Sequence, residues 1–225
     1  MAPEESNVAL PFSEACERNK EPILAALSQW LAEGNRVLEV GSGTGQHAVH
    51  VCRHLRVVWQ PSDRTINLSD LRRRCQLEGQ TNAHLGWLLP PVELDVLQPL
   101  WPDGPFDAVF SANTAHIMPW SAVPRLLEGS ARVLRCSGLL LLYGPFHEGG
   151  RHTSPSNAAF DQHLRSLDPA MGVRDALELT ALAADCGLQA IDDVSMPANN
   201  RLLVFRRMAA EESEPQPGAP PRRCR

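Results

Sequence analysis

Three alternating glycines follow an acidic residue in the stretch VLEVGSGTGQHAVHV, which runs from Val37 to Val51. A short apolar run precedes the glycines and a helix-like pattern follows them, so the stretch predicts a strand, a tight turn and a helix. Gly41, Gly43 and Gly45 allow the backbone to approach a ligand closely, because glycine has no Cβ. Turns of this kind are typical of sites for nucleotide-like ligands.

The spacing of the glycines and the residues beside them distinguish a phosphate-containing ligand from other nucleotide-like ligands. A dinucleotide fingerprint would need a third glycine where Gln46 stands, and no phosphate-loop ending Gly-Lys-Ser/Thr is present. Glu39 places a negative charge at the mouth of the strand, which suits the ammonium and sulfonium of S-adenosylmethionine better than a pyrophosphate. We therefore expect Glu39 and the three glycines to bind S-adenosylmethionine. An NAD-linked oxidoreductase is the weaker alternative, since Lys20 is the only lysine and no Tyr-x-x-x-Lys pair exists.

Three further polar residues stand where predicted strands end. Asp63 lies 20 residues beyond Gly43, the place for an acid that accepts hydrogen bonds from ribose hydroxyls. Asp95 could accept a hydrogen bond from the adenine amino group, or it could cap the turn that follows it. Asn113 would lie beneath the reacting sulfur. Because ligands bind at the carboxyl ends of parallel strands, the sequence predicts that these side chains share one site.

Methyl transfer from a sulfonium depends mainly on holding the acceptor in line, at about 3 Å, and needs a general base only for a protonated acceptor. His116 and Tyr143 are the candidate catalytic residues, and either could instead be structural. No Asp/Asn-Pro-Pro-aromatic motif and no Pro-Cys pair follows the fourth strand, which disfavours methylation of adenine or glutamine nitrogens and of cytosine C5. A small-molecule acceptor is expected, and a non-catalytic sensor or scaffold that keeps the pocket is the alternative.

Strands and helices alternate along the chain, which predicts a doubly wound, mostly parallel sheet. A final hairpin makes this the seven-stranded, Rossmann-like fold of class I methyltransferases. Strands are predicted over residues 36–40, 57–60, 92–96, 106–113, 138–144, 188–194 and 201–207. Helices are predicted after the glycines, over residues 68–78, 122–134, 157–167 and 174–186, and from Asn19 with Pro22 in its first turn.

Composition limits the class of protein. With 225 residues, of which 43% are hydrophobic, one domain is expected, over residues 12–207, between a flexible start at 1–11 and a disordered tail at 208–225. A net charge of −5 gives no sign of nucleic acid or an anionic membrane as partner. The six cysteines form no C-x-x-C pair, which disfavours a metal site, and no signal or membrane-spanning segment is recognisable. A cytoplasmic protein is expected.

Several motifs together resemble the methyltransferase-like 26 family over residues 12–207, above all ERNKEPIL (17–24), WQPSD (59–63) and MPANN (196–200). The resemblance implies a fold that binds S-adenosylmethionine, and it names no acceptor. It also implies a role for Arg18 beside the cofactor or acceptor. A polar cluster at 154–161 is either part of the site or a helix cap formed by Ser156 or Asn157.

Overall fold

A computed structural model describes residues 9–79 and 85–209 of the chain. Its helices are α1 (Glu14–Trp30), α2 (Gln46–His54), α3 (Thr65–Glu78), α4 (Ala122–Val133), α5 (Pro155–Leu167) and α6 (Ala176–Asp185). Its strands are β1 (Arg36–Val40), β2 (Val58–Asp63), β3 (Trp87–Leu88), β4 (Val92–Glu93), β5 (Phe106–Ala112), β6 (Leu134–Gly144), β7 (Phe146–His147), β8 (Arg174–Asp175), β9 (Leu188–Met196) and β10 (Asn200–Arg207). Among these residues, no helix combines the length and the apolar character that crossing a membrane requires.

The main sheet has β1 near its centre, parallel to β2 on one side and to β5 on the other. β6 is parallel to β5, and β10 and β9 complete that side as an antiparallel hairpin. At the opposite edge, β3 and β4 pair with different parts of β2, so eight strands fill seven positions. The predicted doubly wound sheet with a terminal hairpin is confirmed.

Both faces of the sheet are covered by helices, which is why β1 is an apolar run and not an alternating one. Val37 packs with Ile23 and Leu27 of α1 on one face, while Leu38 packs with Leu126 and Leu127 of α4 on the other. All of these side chains are buried. With its faces closed, the sheet leaves its carboxyl edge as the place where a ligand can reach the strand ends.

Helix α1 begins five residues earlier than predicted, so the prediction that Pro22 lies in its first turn is wrong. The Ser13 hydroxyl accepts a hydrogen bond from the backbone N–H of Cys16, at 3.2 Å, and so caps the helix. Pro22 then stands in the middle of the helix, where its missing N–H costs about 3 kcal/mol. Burial of Ile23 and Leu27 beyond it offsets this cost.

Other element ends differ from the predictions for local reasons. The strand predicted at 92–96 ends after Glu93, and the prolines at 90 and 91, which lack an N–H, separate it from β3. Residues 174 and 175 form β8 beside β7, so α6 begins two residues late, with Asp175 as its cap. Helix α5 is capped by Ser154, which accepts from the Asn157 N–H, and not by either residue expected.

Candidate functional site

A cavity of about 350 Å³ opens at the edge of the sheet where β1, β2 and β5 end. The β1–α2 loop, the end of β2 and the segments after β4 and β5 form its wall, and the start of α1 borders it. The predicted site residues in its wall are Gly41, Gly43, Asp63, Asp95 and Asn113. Because open α/β sheets bind ligands at this edge, the cavity is the candidate functional site.

The three glycines of the loop have left-handed backbone angles, with φ of +77° at Gly41, +53° at Gly43 and +75° at Gly45. Gly41 and Gly43 line the cavity. A Cβ at Gly43 would meet no atom within 4 Å, whereas a Cβ at Gly45 would lie 2.7 Å from Leu71 of α3. Gly45, expected at the ligand, therefore allows the loop to pack against α3 and is not part of the cavity wall.

Asp63 joins the end of β2 to the glycine loop. Its Oδ2 accepts a hydrogen bond from the Gly43 N–H at 2.6 Å. Its Oδ1 accepts from the Arg64 N–H and from the Asn67 amide, both at 2.8 Å. A carboxylate can accept about four hydrogen bonds, so one site remains, on Oδ2. Asp63 thus holds the loop and still offers an acceptor to the cavity.

Glu39, expected at the ligand, lies behind the loop instead. Its Oε2 accepts from the Ser42 hydroxyl at 2.7 Å and from the Trp59 indole N–H at 2.9 Å. The side chain is 1% exposed and is not in the cavity wall. Burial raises the pKa of Glu39 to about 7, and the two hydrogen bonds oppose that rise. These contacts give Glu39 the role of bracing the loop from within the core.

Asp95 and Asn113 complete the far wall of the cavity. Asp95 Oδ1 accepts from the Leu97 N–H at 3.0 Å, so the residue caps a turn and also faces the cavity. Asn113 follows β5 with φ of +57°, a conformation that asparagine adopts more readily than most residues. Its N–H donates to the Tyr143 carbonyl at 2.8 Å, which fixes it above the ends of β5 and β6.

The two predicted catalytic residues and Arg18 are not in the cavity wall. His116 packs edge-on against Phe160, and burial, with a smaller effect of Arg174, lowers the pKa of His116 to about 4. Burial also raises the pKa of Tyr143, whose hydroxyl interacts with the side chains of Asn19 and Asn200. Arg18 is exposed on α1.

Sequence reasoning missed the contribution of α1 and of the first turn of α2. Ser13 and Cys16 from α1 and His47 from α2 line the cavity. Gln46 joins the two helices, because its Oε1 accepts from the Ser13 N–H at 2.7 Å and from the Thr44 hydroxyl at 2.9 Å. The signal available for His47 was its place as a polar residue just after the glycine turn. The approach of α1 could not be predicted in this way, because it is a tertiary contact.

Comparison with known proteins places the fold among methyltransferases. An O-methyltransferase family protein from Burkholderia thailandensis superposes with a TM-score of 0.73 at 18% identity, over 88% of this chain and 59% of that one. CalO1, a methyltransferase in calicheamicin biosynthesis, in its SAH-bound form, gives 0.68 at 19% identity, over 85% and 54%. A putative sarcosine dimethylglycine methyltransferase from Galdieria sulphuraria gives 0.66 at 16% identity, over 87% of each chain. The class I methyltransferase fold is thereby confirmed.

One curated protein that is similar to this chain in sequence has a name that specifies its substrate class. The chain is 32% identical over 143 residues to a fatty-acid O-methyltransferase from Mycolicibacterium smegmatis. The match covers 61% of this chain and 48% of the relative, so the chain spans about half the length of that protein. A family model described as protein of unknown function (DUF938) matches residues 10–207, which include the whole sheet and the cavity. The chain belongs to the DUF938 family.

Proposed function

We propose that the protein is a methyltransferase that uses S-adenosylmethionine and acts on a small-molecule acceptor. The observation that carries the proposal is the cavity at the carboxyl edge of the sheet, which brings together Gly41, Gly43, Asp63, Asp95 and Asn113. These residues come from four separate segments of the chain. Their types match a ligand that offers hydroxyl and amino donors and needs close approach to the backbone.

The residues present fit this cofactor. The remaining acceptor site on Asp63 Oδ2 suits a ribose hydroxyl, and Asp95 keeps its Oδ2 for the adenine amino group. The open space beside Gly43 leaves room for the chain of the ligand to pass. Glu39 supports this arrangement from behind, through Ser42. When bound, S-adenosylmethionine would supply a methyl group that is already activated by the positive charge on sulfur.

The contribution of the protein to catalysis is then mainly positioning. Asn113 borders the cavity at the ends of β5 and β6. His116 adjoins it, since a Cβ on Gly144 would lie 3.5 Å from His116 Nδ1 and 3.8 Å from Asn113 Oδ1. We assign His116 and Tyr143 to the acceptor side of the site. With a pKa near 4, His116 is neutral at pH 7 and suits hydrogen bonding to the acceptor.

Oxygen is the acceptor atom to test first, because the curated relative is named a fatty-acid O-methyltransferase. An acceptor carboxylate is already ionised at neutral pH and needs no general base. This agrees with a site whose candidate bases lie outside the cavity wall. Within the DUF938 family, the motifs ERNKEPIL, WQPSD and MPANN support assignment to the methyltransferase-like 26 proteins.

A cytoplasmic location is part of the proposal. Five cysteines, Cys16, Cys52, Cys75, Cys136 and Cys186, are free thiols in the described part of the chain, as expected in a reducing compartment. The sixth, Cys224, lies outside the described residues.

Calorimetry with S-adenosylmethionine and S-adenosylhomocysteine tests the proposal directly. Binding of both at a 1:1 ratio is expected, and no heat change with either ligand would overturn it. Incubation with methyl-labelled donor and a panel of carboxylic acids and phenols then tests transfer. Binding without transfer to these acceptors or to a metabolite extract would favour the sensor or scaffold function, for which the absence of His116 and Tyr143 from the cavity wall is the supporting observation.

A further inference from the structure

His47 is a buried histidine in the first turn of α2, and its side chain lines the cavity. It is 5% exposed. Phe110 of β5 packs against the ring edge-on, with 6.3 Å between the ring centroids, and so restrains its orientation. No contact in the site described so far uses this side chain.

Asn19 of α1 determines which nitrogen of His47 carries the proton. His47 Nε2 lies 2.7 Å from Asn19 Oδ1. The atom of the Asn19 amide that faces the ring is its carbonyl oxygen. A carbonyl oxygen only accepts, so Nε2 is the donor. Burial and nearby His50 lower the pKa of His47 to about 4, so the ring is neutral.

The neutral ring with a proton on Nε2 has a lone pair on Nδ1. Within residues 9–79 and 85–209, the bond to Asn19 is the only hydrogen bond of the His47 ring. Asn19 lies outside the cavity wall, and Nδ1 is on the other side of the ring from the bond to Asn19. Of the two ring nitrogens of this cavity-lining residue, Nδ1 is therefore the one available to accept a hydrogen bond from a ligand.

The position of His47 selects one end of the ligand. Asp63 and Asp95, assigned to ribose and adenine, lie at or after the ends of β2 and β4, whereas the His47 ring packs against Phe110 of β5, on the other side of β1. β1 and β4 are separated by β2, so their ends are about 10 Å apart. The remaining N–H donor of S-adenosylmethionine or S-adenosylhomocysteine is the ammonium of the amino-acid part.

The geometry points to His47 Nδ1 as the hydrogen-bond acceptor for the α-ammonium of the cofactor, with Asn19 as the residue that holds the ring in the required tautomer. This inference rests on the proposed function. It transfers to His47 the contact that the sequence suggested for Glu39, whose side chain is buried outside the cavity wall.

Two ligands and two variants test the inference. The ligands are S-adenosylhomocysteine and 5′-S-(3-carboxypropyl)-5′-thioadenosine, which lacks only the amino group. The wild-type protein should bind the first about 10-fold to 100-fold more tightly, as expected for a hydrogen bond to a charged group. His47→Gln can keep a donor toward Asn19 but has no acceptor at the Nδ1 position, and should lose this preference. His47→Asn can place its carbonyl oxygen near the Nδ1 position, and should keep most of it.

The outcomes are separable. If the wild-type protein binds neither ligand, the proposed function fails. If the wild-type protein binds both ligands with equal affinity, or if His47→Gln retains the full preference, the inference about His47 fails while the function stands. Nitrogen NMR of the imidazole rings gives a second measurement that does not depend on variants. It should show the Nε2–H tautomer for His47 and a shift of Nδ1 with S-adenosylhomocysteine only, and an Nδ1–H tautomer would contradict the assignment.

Discussion

Glu39 and Asp63 are carboxylates at the ends of adjacent strands, and their surroundings give them different roles. Glu39 is enclosed by the core, with two donors on a single oxygen. Asp63 is held by backbone and amide N–H groups beside the cavity. In the sequence both are acids near the end of a strand, Glu39 one residue before the end of β1 and Asp63 at the end of β2. Their roles follow from which side of the glycine loop each carboxylate occupies.

Replacing Glu39 with glutamine should stabilise the protein in a pH-dependent way. The folded-state pKa of about 7 lies above the ordinary value of 4.5, so the folded state binds the proton more tightly than the unfolded state. Wild-type stability should therefore fall, relative to Glu39→Gln, as the pH rises from 4.5 to 7, and then level off. The full difference is on the order of 3 kcal/mol. Because both donors reach the same oxygen, the glutamine carbonyl can accept both bonds.

Urea unfolding of both proteins between pH 4 and pH 9 measures this difference. A difference in the free energy of unfolding that does not change with pH would show that folding does not raise the pKa of Glu39.

Asp63→Ala should weaken binding of S-adenosylhomocysteine by about 10-fold to 100-fold, because a charged acceptor is lost. Asp70→Ala is the matched control, since Asp70 lies on α3 and is exposed. Calorimetry of both variants measures the effect, with circular dichroism to verify folding. Equal affinities of the two variants would place the ribose contact elsewhere.

The glycine loop and the start of α1 are the elements that shape the cavity. Gln46 connects them through the Ser13 backbone and the Thr44 hydroxyl. Gln46 stands where a dinucleotide fingerprint would have glycine. Its side chain links the glycine loop to the start of α1. The residue that breaks the dinucleotide pattern therefore stabilises the contact between the glycine loop and α1, which the sequence of the loop or of the helix alone does not show.

Alanine substitutions at two of the loop glycines should separate stability from binding. Both residues have positive φ, which costs alanine about 1 kcal/mol. At Gly45 the new Cβ would also lie 2.7 Å from Leu71, so Gly45→Ala should lower the thermal midpoint further. At Gly43 the Cβ enters open space at the cavity, so Gly43→Ala should mainly reduce cofactor affinity. Thermal melts measure the stability of each variant, and calorimetry measures its affinity for the cofactor. A larger loss of stability in Gly43→Ala, or a larger loss of affinity in Gly45→Ala, would contradict the placement of the loop.

Gln46→Ala should loosen the start of α1 without unfolding the protein. Loss of the bond to the Ser13 N–H removes about 1 kcal/mol, so amide exchange at residues 13–17 should be roughly fivefold faster. Gln76→Ala, an exposed position on α3, is the control. Hydrogen-exchange mass spectrometry measures the rates, and unchanged protection in both variants would mean that other contacts hold α1 in place.

At the scale of the whole molecule, two apolar layers enclose the sheet and leave its carboxyl edge accessible. At both ends of the described chain, residues just outside the predicted limits of 12 and 207 contact the rest of the protein. The Pro11 carbonyl accepts from Arg74 of α3 at 2.6 Å, and the Met208 N–H donates to the Gly187 carbonyl at 2.9 Å. Residues 1–8 and 210–225, which make up most of the predicted flexible start and disordered tail, lie outside the described residues.

A chain trimmed to residues 9–209 should therefore unfold at the same denaturant midpoint as the full chain. A chain trimmed to 12–207 should be less stable by about 1 kcal/mol or more, because buried Arg74 loses a partner. Urea denaturation of the three proteins measures this. A loss of stability already in the 9–209 chain would assign a structural contribution to the segments outside it.

Much of the fold could be predicted because its signals are local. The bounds of β1 agree with the prediction, since an apolar run of five residues between a turn and a glycine is too short for a helix and fits a buried strand. The alternation of strands and helices was sufficient for the parallel sheet and its terminal hairpin. The predicted start of α1 at Asn19 is wrong because a proline near a first turn is a weak signal, while the effective signal was Ser13 followed by acids in the first turn.

The sequence alone determined the order of the elements, the glycine turn and which polar residues stand at strand ends. Only the tertiary structure decided which of these side chains reach the cavity. Glu39 and Asp63 are both acids near the carboxyl ends of adjacent strands, two register positions apart, yet only Asp63 borders the cavity and Glu39 is buried behind the loop. The contributions of Ser13 and Cys16, and the bond between Asn19 and His47, require two helices to meet across 28 residues of chain. Contacts of that kind arise from packing on the sheet, which no local pattern encodes.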